Sequence, residues 1–135
     1  MSALVLDTSV AVAWYLPEEF APEARAYRDR LLAGKLQLIV PSLHYWELAN
    51  VLRTYVRRDE IESALASEIF ELHLDAPLEI AEPDRRDVLA TALEYDATAY
   101  DAVYIALAEA LNTPFVTRDS PLASAAGSIV RIELL

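Results

Sequence analysis

The chain has 135 residues, a formal net charge of −11 and no cysteine, which predicts one domain over residues 1–135 and excludes disulfides, thiolate metal sites and a cysteine nucleophile. A hydrophobic content of 55% argues against a disordered acidic tail, and dispersed apolar residues without a basic leader segment indicate a soluble, cytoplasmic protein with no membrane span. The 22 acidic residues outnumber the 11 lysines and arginines, and this excess by itself argues against nucleic-acid binding, because phosphates attract basic surfaces.

The first part of the chain alternates short apolar runs with segments of helical periodicity. The apolar runs at residues 3–6 and 36–40 predict two buried strands. Helical spacing predicts three helices, over residues 9–16, 22–33 and 42 to about 58. We expect Gly34 to end the second of these helices and Ser42 to cap the third.

The middle of the chain predicts two further helices and a weak strand. Residues 59–62, Asp-Glu-Ile-Glu, have the form of a capping box and are expected to begin a helix. The apolar stripe of that helix would consist of Ile61, Leu65, Ile69 and Leu72. Residues 78–80 are a weak strand candidate, and Asp84 is expected to cap the next helix. One face of that helix is predicted to carry its apolar residues, Val88, Leu89, Ala92 and Leu93.

The last third of the chain predicts a buried helix and two more strands. Residues 102–108 are apolar nearly all round, which is typical of a helix inside the core. Strands are predicted at residues 114–117 and 129–132, with a short helix or turn at 120–126 between them. Because strands alternate with helices, we predict an α/β fold whose parallel sheet of four or five strands is covered by helices on both faces.

Four carboxylates lie where such a sheet binds its ligands, beyond the carboxyl ends of the strands. Asp7 directly follows the first strand, and Asp119 follows the strand at residues 114–117. Glu47 lies in the first turns of the helix after the second strand, and Asp101 at the start of the buried helix. Taken singly, each has an ordinary interpretation as a turn residue, an N-cap or a solvated helix residue.

The surroundings of these carboxylates favour a shared role. Glu47 is spaced at helical intervals with Val51 and Tyr55, so its side chain faces the apolar side of its helix. Asp7 and Asp101 adjoin the most apolar segments of the chain, where a carboxylate is rare without a partner.

A divalent cation is the partner that the sequence predicts. The single lysine, Lys35, lies at a distant turn, and Arg118 is the one arginine close to these positions along the chain. Converging carboxylates repel each other, and Mg²⁺ or Mn²⁺ relieves that repulsion while keeping waters that serve hydrolysis of phosphate esters. Zinc is not indicated, because cysteine is missing and the sequence has only two histidines, His44 and His73. We expect both histidines in capping-turn or surface positions.

Four motifs follow one another in the chain: Leu-Asp-Thr-Ser-Val at 6–10, the segment 41–52 around Glu47, the segment 100–108 around Asp101, and Phe-Val-Thr-Arg-Asp at 115–119. In this order they resemble the PIN domain, specifically VapC-type toxins of bacterial and archaeal type II toxin–antitoxin pairs. Each motif alone is weak, whereas the ordered set is specific and covers almost the whole chain.

The resemblance implies an RNase H-like parallel sheet and a Mg²⁺- or Mn²⁺-dependent endoribonuclease that cleaves RNA with a metal-activated water. The residues that fall on its acidic quartet, as catalytic residues and metal ligands, are Asp7, Glu47, Asp101 and Asp119. Ser9 matches the small hydroxyl residue that supports the first aspartate, and Thr117 a polar residue often found two positions before the last. Arg118 is the best candidate for a substrate contact, because it adjoins Asp119. The number of metal ions stays open.

The resemblance also implies partners. A VapB-type antitoxin, encoded beside the toxin, commonly wraps it and sends a basic side chain toward the acidic site. The helices at 22–33 and 42–58 would then form the walls of the groove. A homodimer or a toxin–antitoxin hetero-oligomer is expected, with the dimer contact on the helix at 61–73 or at 84–95. Candidates for stacking on unpaired bases, as well as for core packing, are Trp14, Tyr15, Tyr45 and Trp46.

Three other functions match the sequence less well. A catalytically inactive PIN module, acting as a protein- or RNA-binding scaffold, would not need the intact quartet. A signalling receiver domain needs a lysine after a later strand and an acidic neighbour for its first aspartate, and both are missing here. A haloacid dehalogenase-like phosphatase needs Asp-x-Asp, whereas residues 7–9 are Asp-Thr-Ser. Transfer, ribosomal and messenger RNA are all open as substrates.

Overall fold

Five parallel strands form one sheet in the residues that this computed structural model describes, 2–119 and 132–134. The strands are β1 (Ser2–Leu6), β2 (Leu36–Val40), β3 (Glu79–Ile80), β4 (Phe115–Thr117) and β5 (Ile132–Leu134). Their order across the sheet is β3-β2-β1-β4-β5. The helices within the same residues are α1 (Thr8–Val12), α2 (Ala21–Leu32), α3 (Leu43–Arg57), α4 (Ser63–Asp75), α5 (Arg85–Tyr95) and α6 (Ala99–Leu111). The predicted α/β class and parallel sheet are confirmed.

Strand β1 lies at the centre of the sheet, because it pairs with β2 on one side and with β4 on the other. Successive side chains of a strand point to opposite faces of the sheet. Leu4 and Leu6 therefore pack with residues of α1 and α2, whereas Val5 packs with Ile105 of α6. Because helices cover both faces, the strand is apolar on both sides, as buried parallel strands are.

Helix α6 is a core helix, as its sequence predicts, and Ile105 at its middle is fully buried. The hydroxyl of Thr98 caps the helix by accepting a hydrogen bond from the backbone N–H of Asp101 at 3.1 Å. The helix ends at Leu111, where Asn112 adopts a left-handed conformation with φ of 49°. The expected start is therefore wrong by a few residues, and Asp101 lies in the first turn rather than before it.

The predicted capping box at residues 59–62 is wrong, because residues 59 and 60 close the preceding helix instead. Asp59 has a φ of 56°, and its backbone N–H bonds to the carbonyl of Val56 at 3.0 Å. The next residue, Glu60, bonds back to the carbonyl of Tyr55 at 2.9 Å. This pair of bonds is a Schellman motif, which ends α3. Helix α4 starts only at Ser63, without a side-chain cap.

Two predicted helix faces are only partly confirmed. Ile69 of the predicted α4 stripe is buried in the core, and Val88 and Ala92 of the α5 face are half-buried. The four leucines assigned to these faces are 42–74% exposed: Leu65 and Leu72 on α4, and Leu89 and Leu93 on α5. Polar or amphipathic side chains are buried in their place, namely His73 on α4 and Thr91 and Tyr95 on α5. Hydrophobic spacing predicts a helix correctly here, but it does not identify the side that meets the core.

The remaining boundaries follow the sequence closely. Helix α1 is shorter than the predicted 9–16, and the last strand starts at Ile132, later than predicted. The predicted helix or turn at 120–126 and the start of the strand at 129–131 lie outside the described residues. Asp84 caps α5 as predicted, by accepting from the backbone N–H of Arg86 at 2.9 Å. Within the described part of the chain, no helix has the length and apolar character needed to cross a membrane.

Replacing Thr98 by alanine should lower the free energy of unfolding by about 1 kcal/mol, because the cap of α6 is lost. Ser42 supplies the matched control. It precedes α3, but contrary to the prediction its hydroxyl makes no cap bond. Ser42→Ala should therefore change stability by less than about 0.5 kcal/mol. Urea denaturation of both variants measures the difference, and equal losses would contradict the assignment of the caps.

Candidate active site

The predicted site residues gather at the carboxyl edge of the three adjacent strands β2, β1 and β4. Asp7 directly follows β1, and Asp119 comes two residues after the end of β4. Glu47 lies on α3, which follows β2, and Asp101 lies in the first turn of α6. In parallel sheets this edge is where ligands bind, because the connecting loops open there.

Two hydroxyl groups hold the carboxylate of Asp7. Ser9 Oγ donates to Oδ2 at 2.8 Å, and Thr117 Oγ1 donates to the same oxygen at 2.7 Å. Each hydroxyl is itself fixed by a backbone N–H, from Arg118 to Ser9 at 3.2 Å and from Asp119 to Thr117 at 3.0 Å. The residues expected to support Asp7 thus make direct contact with it, and they link β1 to the end of β4.

Burial raises the pKa of Asp7 above its ordinary value, although the bonds from Thr117 and Ser9 act in the opposite direction. The negative charge of Asp101 raises this pKa further. The ionised form of Asp7 is therefore disfavoured at this position. A bound cation would favour the ionised form and lower the pKa.

Glu47 is held by a second pair of hydroxyl groups. Tyr104 Oη donates to Oε1 at 2.6 Å, and Thr8 Oγ1 donates to the same oxygen at 3.0 Å. Burial raises the pKa of Glu47, and the charges of Asp7 and Asp101 raise it further, while the two hydroxyls lower it. Tyr104 reaches this position from α6, so the carboxylate is fixed by the packing of α1, α3 and α6 together.

Asp101 completes a row of like charges. Burial is the main cause that raises the pKa of Asp101. The charge of Asp119 raises this pKa further, while the hydrogen bond with Thr98 lowers it. In the described residues no arginine or lysine forms an ion pair with Asp7, Glu47 or Asp101. Their mutual repulsion is therefore not relieved by a basic side chain of that part of the protein.

The donor set fits a hard divalent cation. Carboxylate oxygens are the ligands that Mg²⁺ and Mn²⁺ prefer, and such ions commonly take few protein ligands and keep several waters. Within residues 2–119 and 132–134, no three acidic or histidine side chains already enclose a common point at coordination distance. Direct coordination by the whole predicted set is thus not seen in this part of the chain.

The predicted contacts with substrate differ in their exposure. Arg118 is exposed, and its guanidinium carbon lies 4.9 Å from the centre of the Phe20 ring. Trp46, next to Glu47, is 70% exposed. Trp14 is buried and donates from Nε1 to the carbonyl of Ala24 at 2.9 Å, so it serves core packing. The two tyrosines among the candidates, Tyr15 and Tyr45, are half-buried and pack against the core.

The polar residues behind Glu47 were not predicted from the sequence. Thr8 and Tyr104 carry no signal except their closeness to Asp7 and Asp101 along the chain. The expectation that both histidines take capping-turn or surface roles is wrong, because His44 and His73 are each 0% exposed. The signal that could have found His44 is its position three residues before Glu47, on the same side of α3.

Acidification should weaken Mn²⁺ binding at a higher pH than in a site built from solvent-exposed carboxylates. Burial raises the pKa of Asp7 and of Glu47, so both take up a proton early as the pH falls, and a protonated carboxyl is a poor ligand. Isothermal titration with Mn²⁺ over a series of pH values measures this. An Mn²⁺ affinity that persists down to pH 3.8, the ordinary pKa of an aspartate, would contradict binding by these buried carboxyls.

Comparison with known proteins places the chain in a family. The model of the PIN domain matches residues 4–128. A ribonuclease named VapC3 from Pyrobaculum aerophilum is 32% identical over 124 residues, which cover 89% of this chain and 92% of the relative. An exonuclease named VapC9 from the same organism is 26% identical over 126 residues, covering 89% and 95% of the two chains.

A solved structure has the same fold. A chain in the crystal structure of VapBC2 from Rickettsia felis, bound to a DNA fragment from its promoter, superposes with a TM-score of 0.69. The match covers 98% of each chain at 16% identity. Since the family model spans most of the sequence and the first relative matches nearly end to end, this chain belongs to the PIN domain family.

Proposed function

We propose that this chain is an endoribonuclease that hydrolyses RNA phosphodiester bonds with Mg²⁺ or Mn²⁺ in its acidic site, and that it is the toxin of a VapBC-type pair. The observation that carries the proposal is the cluster of Asp7, Glu47 and Asp101, which form no ion pair with a basic side chain of the described residues. Burial raises the pKa of all three carboxyls; the charge of Asp101 further raises that of Asp7, and the charges of Asp7 and Asp101 further raise that of Glu47. The ribonuclease name of the 32% identical relative supports RNA as the substrate.

Each carboxylate has a part in this proposal. Asp7 and Glu47 would be the firmly held ligands, because two hydroxyl groups orient each of them. Asp101 and Asp119 lie at the same edge and would complete the set, directly or through waters. When bound, the cation supplies a Lewis acid that lowers the pKa of water and stabilises negative charge developing on the phosphate.

The acidity of the protein is compatible with an RNA substrate under this proposal. The bound cation would offset the charge of the carboxylates, so RNA would meet a neutralised site rather than bare negative charge. Arg118 is exposed beside Asp119 and would contact a phosphate next to the cleaved bond. Trp46 is the exposed aromatic candidate for stacking on an unpaired base.

A VapB-type antitoxin is the proposed partner, and the likeness to a chain of the VapBC2 structure supports it. An acidic site attracts arginine or lysine from a partner segment. The walls of its groove are proposed to be α2 and α3, as the sequence predicts. The proposed dimer contact lies on α4 or α5, both of which expose leucines to solvent. We propose a homodimer or a toxin–antitoxin hetero-oligomer as the assembled state.

Cleavage of single-stranded RNA by the purified protein tests the nuclease. We expect cleavage with Mn²⁺ and none with a chelator, and Asp101→Asn should reduce the rate by more than about 100-fold. Asp87→Asn is the matched control, because Asp87 is an exposed aspartate on α5. The two variants remove the same charge, so equal loss in both would contradict a specific site.

A circular RNA distinguishes the possible modes of action. It has no ends, so its cleavage requires an endonuclease, whereas an exonuclease, as one relative is named, acts only on the linear form. Binding of the RNA without cleavage, unchanged in Asp101→Asn, would favour a catalytically inactive PIN scaffold instead.

A further inference from the structure

A buried chain of hydrogen bonds leads from Tyr15 to Glu47 through two histidines. Tyr15 Oη lies 2.7 Å from His73 Nδ1, and His73 Nε2 lies 2.8 Å from His44 Nε2. His44 Nδ1 lies 3.1 Å from Thr8 Oγ1, which lies 3.0 Å from Glu47 Oε1. Both histidines are 0% exposed, and every buried polar side-chain atom in the described residues has a partner.

The directions of these bonds follow from the protons available at Glu47. An ionised carboxylate only accepts, so both contacts with Oε1 are hydrogen bonds when Tyr104 and Thr8 each donate their single hydroxyl proton to it. Once the proton of Thr8 is used, the contact with His44 Nδ1 is a hydrogen bond only if His44 donates. His44 Nδ1 also lies 3.4 Å from Tyr104 Oη. In this arrangement its N–H donates to the Thr8 oxygen and also faces that of Tyr104. The two hydroxyl oxygens lie 2.8 Å apart with no proton between them, and this N–H offsets their repulsion.

The tautomer of His44 determines the rest of the chain. With its proton on Nδ1, a neutral His44 has a bare Nε2, so the proton between the two rings must come from His73 Nε2. His73 Nδ1 is then bare and accepts from Tyr15 Oη. Burial, and to a smaller extent the charge of His73, lower the pKa of His44 to about 3. Burial lowers the pKa of His73 to about 4. Both rings are therefore neutral near pH 7.

We infer that Tyr15, His73 and His44 are positioning residues that hold Glu47 through Thr8, with every donor in the chain directed toward the carboxylate. The inference rests on the proposed function, because an ionised Glu47 is needed as a metal ligand. The chain joins the turn after α1 to α4 and α3. The outer partners of a metal ligand tune its orientation and its affinity, even though they do not touch the metal.

The two tautomers can be measured directly in the metal-free protein. Long-range ¹H–¹⁵N NMR spectra distinguish a protonated from a bare imidazole nitrogen. Near neutral pH, we expect His44 to carry its proton on Nδ1 and His73 on Nε2. A proton on His44 Nε2, or on His73 Nδ1, would reverse the chain and overturn the inference.

Two substitutions of His73 test its effect on the metal site. The amide of glutamine can donate to His44 Nε2 as the imidazole does, whereas leucine cannot donate at all. Measured by isothermal titration, Mn²⁺ affinity should fall about tenfold in His73→Leu and stay within about twofold of the wild type in His73→Gln. A role in packing alone predicts no such rescue, so equal affinities in both variants would overturn the inference.

A third variant keeps the test decisive if leucine prevents folding. Tyr15→Phe removes only the hydroxyl that donates to His73 Nδ1 at the far end of the chain. The proton of His73 should stay on Nε2, because His44 Nε2 still needs a donor, while the ¹⁵N signal of Nδ1 should shift. A proton that moves to Nδ1 in this variant would overturn the inference. Circular dichroism checks the fold of each variant. Failure of the proposed function is distinguishable from failure of this inference. In the first case the wild-type protein would bind no Mn²⁺, while the tautomers of His44 and His73 would still confirm or contradict the direction of the hydrogen bonds.

Discussion

Replacing Asp7 by asparagine should abolish cleavage and at the same time stabilise the metal-free protein. Asparagine keeps the shape of the side chain and can still accept from Ser9 and Thr117, but it lacks the negative charge that a divalent cation needs. We expect a loss of activity of more than about 100-fold, since substitution of an outer partner alone costs up to about that factor.

The gain in stability follows from the direction of the pKa shift. Burial raises the pKa of Asp7, so the folded protein holds this proton more tightly than the unfolded chain does. The stability contributed by the group is therefore greatest below its unfolded pKa and is lost as the pH rises through the folded value. At neutral pH the buried charge opposes folding, so its removal should raise the free energy of unfolding.

Thermal denaturation with and without Mn²⁺ measures this prediction. Saturating Mn²⁺ should stabilise the wild-type protein and leave Asp7→Asn nearly unaffected, because binding to the folded state alone shifts the equilibrium. Asp87→Asn, which changes an exposed aspartate, should respond to Mn²⁺ as the wild type does. An Asp7→Asn protein that is less stable than the metal-free wild type would contradict the expectation that the charge of Asp7 opposes folding.

Replacing Phe115 by alanine should have the largest effect on stability among these variants. Its side chain is 0% exposed on β4, and its ring stacks on that of Tyr104 with centroids 5.6 Å apart. Loss of a buried phenylalanine costs about 3–5 kcal/mol, from lost burial and from the cavity that remains. Cleavage should also fall at temperatures where the variant is folded, because Tyr104 orients Glu47.

Leu93→Ala is the control for this prediction. Leu93 is 74% exposed on α5, although its spacing along the helix predicts an apolar face. We expect its substitution to change the free energy of unfolding by less than about 0.5 kcal/mol. Urea denaturation of both variants measures the difference. A large loss in Leu93→Ala together with a small loss in Phe115→Ala would show that the core lies elsewhere.

The strands and the candidate site could be predicted because their signals are local. The runs at β1 and β2 are apolar except for Ser2 and Gln37, and such nearly continuous apolar runs are typical of strands buried on both faces. Asp7 and Asp119 follow strands, and the geometry of parallel sheets brings such positions to one edge. Asp84 caps α5 as expected, because an aspartate before a helix bonds to backbone N–H groups two residues away.

The helix faces could not be predicted in the same way, because burial depends on elements distant in the sequence. Leu89 and Leu93 repeat at helical spacing, yet α5 buries Thr91 and Tyr95 against its neighbours. Asp59 lies in a sequence that resembles a capping box, but the closure of the preceding helix takes up its backbone N–H. The spacing of hydrophobic residues indicates the type of element, whereas the elements packed against a helix determine which of its sides is buried.

The sequence by itself determined the alternation of strands and helices and the positions of the acidic residues, because both depend on neighbours along the chain. Only the tertiary structure decided which groups hold those acids. Thr117 donates a hydrogen bond to Asp7, which lies 110 residues earlier in the sequence, and Tyr104 donates to Glu47, which lies 57 residues earlier. His44 and His73, which the sequence places in capping turns or at the surface, are brought together inside the protein by the packing of α3 on α4. Hydrogen bonds between distant side chains exist only once the helices have packed, so no local pattern of residues could reveal them.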